Sequence, residues 1–115
     1  MSLNDLKNPT PFGVQNELRL FAKKLDDASF ETSKDGGIIE SKFECGRFRA
    51  RLFEREHDGK AYLKIVYKKD DAADDVENYR MDNLRSIEFN HNTNRILTSC
   101  ETHGFTDWGI DTLDE

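Results

Sequence analysis

Apolar positions in the N-terminal quarter of the chain recur at helical spacing. Val14, Leu18, Phe21, Ala22 and Leu25 fall three or four residues apart, with Gln15, Asn16, Glu17, Arg19, Lys23 and Lys24 between them. Thr10-Pro11 supplies an N-cap followed by proline at the first helical position. The two lysines come late, where cations complement the helix dipole. The pattern predicts an amphipathic helix after a flexible leader over residues 1–9.

Beyond Asp35-Gly36-Gly37 the period changes to two. Ile39, Ser41, Phe43 and Cys45 alternate with Glu40, Lys42 and Glu44. Past Gly46 the parity switches: Phe48, Ala50 and Leu52 form one set, Arg47, Arg49, Arg51 and Phe53 the other. A parity switch at glycine predicts a bulge or a tight bend. Asp58-Gly59 suits a two-residue type I′ hairpin turn. That turn predicts Leu52 opposite Ile65 and Ala50 opposite Tyr67, and, on the other face, Arg51 opposite Val66 and Phe53 opposite Lys64. Tyr79-Arg80-Met81 reads as an edge strand after an acidic connection from Asp70 to Glu77. A second hairpin spans Ile87–Phe89 and Arg95–Thr98 across residues 90–94. The expected fold is α+β: an N-terminal amphipathic helix packed on one face of an antiparallel, meander-like sheet of four to six strands. It occupies residues 10–103, and 104–115 form an acidic–aromatic tail, docked or disordered.

Composition adds charge to this picture. The chain has 115 residues, 35% of them charged, and a net charge of −6. Residues 42–69 run against that balance, with nine cations and four anions. An overall negative charge disfavours indiscriminate binding to DNA or anionic membranes. No apolar run reaches the ~20 residues of a membrane-spanning helix. No secretory signal is visible, and Cys45 and Cys100 form no CxxC pair. Reduced, buried thiols and a cytoplasmic location are the expectation.

The candidate chemistry centres on the predicted outer hairpin face. Arg47, Arg49, Arg51, Lys64 and Lys68 offer cations, and Phe53 and Tyr62 offer rings beside them. Arginine forks suit carboxylate or phosphate, and a neighbouring ring can stack a base. The same residues also fit an ordinary solvated sheet face. Trp108 packs most simply into the domain; the acidic tail around it would dock on a partner, fold back as a last strand, or lie against the arginines through Asp107, Asp111, Asp114 and Glu115. Cys100-x-x-His103 has ligand spacing, but it is one pair where a structural zinc site uses two, so no metal or cofactor is expected. Glu40 and Lys42, with Asp26, Asp27 and Asp35 upstream, are the bare minimum of a metal-dependent nuclease. No phosphate loop, nucleophile elbow or HExxH motif occurs.

The leading expectation is a small non-catalytic interaction protein of the regulator, inhibitor or adaptor type. It binds a protein partner or itself through the exposed sheet face or the acidic tail. The alternative is a single-strand nucleic-acid binder using the arginine-rich face, and the remote one is the nuclease.

Overall fold

A computed structural model of the chain describes residues 3–7, 9–69, 72–101 and 104–110. The elements in order are β1 (Leu3–Lys7), α1 (Pro11–Lys24), β2 (Ala28–Asp35), β3 (Ile38–Cys45), β4 (Phe48–Arg55), β5 (Ala61–Tyr67), β6 (Asp75–Arg80), a 3-10 turn (Met81–Asn83), β7 (Leu84–Asn90), β8 (Arg95–Cys100) and β9 (Gly104–Gly109). All strand pairs are antiparallel. They form a five-stranded sheet, β2-β3-β4-β5-β6, and a four-stranded sheet, β1-β7-β8-β9. The protein is thus α+β, with one helix packed on antiparallel sheets. Among the described residues no helix is long and apolar enough to cross a membrane.

The helix begins where its cap chemistry requires. Thr10 Oγ1 accepts the Gly13 N–H at 3.1 Å, and Pro11 takes the first turn. Val14, Leu18 and Phe21 are buried to 1% exposure or less. Phe21 lies between the sheets, its ring 6.4 Å from Phe43 on β3 and 6.3 Å from Phe89 on β7. It also stacks on His91 at 4.1 Å, and His91 Nε2 meets Glu17 Oε1 at 2.7 Å. Lys24 Nζ donates to Asn94 Oδ1 at 3.0 Å. One face of α1 therefore grips both sheets, and its last turn is tied to the β7–β8 connection.

The sheets also meet directly. Tyr79 on β6 and Thr98 on β8 are linked at 2.9 Å, and Trp108 Nε1 on β9 donates to the Tyr79 hydroxyl at 3.3 Å. Thr98 Oγ1 also reaches the Thr106 carbonyl at 3.5 Å. Burial pushes the Tyr79 phenol above the ordinary tyrosine range. A phenol whose folded pKa is raised contributes stability that is whole below ~10 and is lost as pH climbs past that value. The loss of urea resistance between pH 9 and pH 11 is therefore expected to be steeper for the wild type than for Tyr79→Phe. The variant itself should cost about 1–2 kcal/mol at neutral pH. Identical pH slopes would contradict this.

Three expectations change, and one open alternative closes. Residues 3–7, read as leader, are a strand paired with β7. Strands begin before the Gly36-Gly37 break: β2 pairs with β3 through that two-residue turn, both glycines having positive φ. Gly46, at φ 59, makes the tight bend and not the bulge: it sits in the two-residue β3–β4 turn. The β4–β5 turn has four residues, 56–59, so that Leu52 faces Leu63, Ala50 faces Ile65, Arg51 faces Lys64 and Phe53 faces Tyr62. The cause is local. Asp58 accepts the Lys60 N–H at 3.0 Å and the Arg55 guanidinium at 2.7 and 3.1 Å, and Gly59 takes φ 72. The Arg55 fork holds the exposed Asp58 carboxyl down to about 2. The register moved by two residues, which preserves parity, so each side chain keeps the predicted face.

Candidate interaction surface

The inner face of the five-stranded sheet carries the core: Phe43 and Cys45 on β3, Phe48, Ala50 and Leu52 on β4, Leu63 and Ile65 on β5, and Tyr79 on β6. Its outer face has no element packed over it among the described residues. Cross-strand rows follow from the registers. One row runs Ser29, Glu44, Arg49, Val66, Val76. The next runs Glu31, Lys42, Arg51, Lys64, Asn78, and the third Ser33, Glu40, Phe53, Tyr62, Arg80. Asp35, Ile38 and Arg55 complete the face at the turn end.

Lys42, Arg51 and Lys64 thus stand side by side on three adjacent strands. Like charges directly opposite disfavour the pairing, and only Arg51 has a nearby counter-ion, Glu40 at 3.4 Å. Among the described residues Lys42 and Lys64 make no ion pair. The buried Nε of Arg49 has no hydrogen-bond partner there either. Phe53 and Tyr62 are direct neighbours in the next row, and Tyr62 is 54% exposed. They line a groove of 660 Å³ with Ile38 and Met81, and Arg55 and Arg80 stand at its rim. Those two guanidiniums are already engaged by Asp58 at 2.7 Å and Asp82 at 3.4 Å.

The structure brings together Arg49, Arg51, Phe53, Tyr62 and Lys64 and separates the other three candidates. Arg47 occupies the β3–β4 turn, where its carbonyl accepts the Lys68 N–H at 2.9 Å. Lys68 is exposed just past the end of β5. Trp108 is a core residue, 5% exposed, on the far sheet. The tail is not a loose docking peptide where it is described: Gly104–Gly109 is the edge strand β9, and Asp107 pairs with Arg95 at 2.9 Å instead of with the arginine face. Asp111, Leu113, Asp114 and Glu115 lie outside the described residues.

The remaining chemistry does not assemble. Glu40 and Lys42 are on the outer face, but no three His, Cys, Asp or Glu side chains cluster as metal ligands among the described residues. His103 lies outside those residues, and His91 is occupied by Glu17. Cys45 and Cys100 are buried and unbridged. Sequence reasoning missed Ile38, Val76 and Arg80 as members of the face. Their places depend on β2–β3 and β5–β6 pairing, which no local pattern signals. Compared with protein-family models, curated proteins and solved structures, the chain gives no significant match to any of them.

Proposed function

We propose that the chain is a non-catalytic interaction protein whose partner is a protein recognised through the outer face of the five-stranded sheet. The observation that carries this reading is the uncovered juxtaposition of the Lys42–Arg51–Lys64 row with the Phe53–Tyr62 pair. The exposed Tyr62 ring beside the half-buried Phe53 supplies apolar area at small entropic cost, and Lys42 and Lys64, which make no ion pair among the described residues, select an acidic surface opposite them. A cytoplasmic setting belongs to the same proposal and rests on two buried, unbridged thiols.

The test is capture from an extract of the native host. The immobilised wild type is compared with Arg51→Glu/Lys64→Glu and with Phe105→Ser, an exposed position on the other sheet. Binding of an acidic partner is expected to survive Phe105→Ser and to fall at least ~10-fold with the double reversal, since like-charge juxtaposition costs several kcal/mol. Equal capture by all three would refute the proposal. A second reading, single-strand nucleic acid, is favoured by the same ring pair flanked by Arg51 and Lys64. Titration of a labelled oligonucleotide at two salt concentrations separates the two: tight binding with a negative log–log slope, lost in the double reversal, would replace protein by nucleic acid.

A further inference from the structure

The charges of the outer face are sorted by strand. β2 and β3 contribute Glu31, Asp35, Glu40 and Glu44, with Lys42 their one outward cation. β4, β5 and β6 contribute Arg49, Arg51, Arg55, Lys64 and Arg80, and no outward carboxylate. One half of the face is therefore acidic and the other basic, with the boundary between β3 and β4. The apolar residues Ile38, Phe53, Tyr62, Val66 and Val76 are spread across both halves.

We infer that the partner of this face is a second copy of the chain. The inference rests on the reading of the face as an interaction surface. The two copies pack face to face about a two-fold axis parallel to the strands. Such an axis reverses the order of strands while keeping position along them, so each acidic half lies over the other copy's basic half. An axis in the same plane but across the strands would set like on like. With the axis over the β3–β4 boundary, Glu44 of one copy approaches Arg49 of the other, and Glu31 approaches Lys64. Lys42 then approaches Arg51, with Glu40 of each copy beside the pair. The contact is isologous, so every favourable pair occurs twice. With that axis four strands of each copy, β2 to β5, overlap, and at ~4.8 Å spacing and roughly 23 Å length they give a footprint of about 440 Å² per copy. Two such footprints fall below the ~1,200 Å² at the low end of stable specific interfaces, which fits a weak, reversible, salt-sensitive dimer.

Complementary charge variants test this. Glu31→Lys/Glu40→Lys reverses two charges of the acidic half, and Arg51→Glu/Lys64→Glu reverses the two cations that face them across the axis. These are surface side chains, and circular dichroism checks that each variant is folded. Sedimentation velocity should show a concentration-dependent wild-type dimer that dissociates as salt rises. Each variant alone should associate at least ~10-fold more weakly, and their equimolar mixture should form a heterodimer. A wild type that stays monomeric at millimolar concentration and low salt would overturn the inference, as would a mixture that does not associate. The two proposals fail separately. A monomer whose captured partner is still lost on Arg51→Glu/Lys64→Glu removes only the second copy. A monomer whose capture ignores those substitutions removes the interaction face as well.

Discussion

Phe21→Ala is expected to lower the stability of the folded chain by about 3–5 kcal/mol, the range for deleting a fully buried phenylalanine. The side chain is 0% exposed and touches rings on three separate segments: Phe43, Phe89 and His91. Helix and sheets cannot all move inward to fill the gap, because Glu17 and Lys24 tie α1 to His91 and Asn94 in the β7–β8 connection. Domains of this size have only ~5–15 kcal/mol in total. The unfolding midpoint should therefore drop by roughly 12–20 °C, at about 4 °C per kcal/mol. Phe21→Leu should lose much less, since most of the volume remains. Thermal denaturation followed by circular dichroism reads both. A drop below 5 °C for the alanine variant would mean that α1 is not the wedge holding the sheets.

Removing residues 104–115 is expected to abolish cooperative folding. The acidic–aromatic composition of that stretch fits a docked or a disordered tail, and residues 104–109 are docked as strand β9. The deletion takes away β9 with its pairs along β8, and it removes Trp108 and Ile110, 5% and 4% exposed, from the core. It also strips the indole from Tyr79 and the Thr106 carbonyl from Thr98. Loss of the tryptophan alone is worth about 3–5 kcal/mol, and the orphaned buried hydroxyls add to it. Collapsed amide dispersion in the proton–nitrogen spectrum is the expected result. Retained dispersion with a sharp thermal transition would show that β7 and β8 are sufficient without it. Trp108→Phe, which keeps one six-membered ring and loses the fused five-membered ring with its N–H, should remain folded.

What the sequence revealed divides by physical cause. α1 was legible because the Thr10 cap and the spacing of Val14, Leu18 and Phe21 are local signals that the tertiary structure reinforces. The facing of the cationic side chains was legible because parity survives any even shift of register, so Arg51 and Lys64 share a face whichever residues oppose them. The register itself depends on the Asp58 carboxylate clasping Arg55 and Lys60, a matter of turn chemistry that alternation cannot see. β2 escaped notice because residues 31–37 are exposed and carry no apolar period. With β2 hidden, the acidic half of the outer face was hidden too. The basic segment read along the chain becomes a boundary between two charge fields only once Glu31 and Asp35 are placed beside β3.

The pairing of β1 with β7 has a consequence for how the molecule is made. Each strand of the five-stranded meander finds its neighbour within one hairpin or short connection, so that sheet can form progressively as the chain leaves the ribosome. Leu3–Lys7 precedes the whole meander, but its partner, Ser86–Asn90, follows it. Closing that long loop carries an entropic cost that grows only logarithmically with its length. Waiting time is therefore the larger obstacle: β1 has no partner strand until the whole meander has been synthesised. The nascent chain's most exposed interval lies before β7 appears, and β1 ties the start of the meander to the strand that follows it.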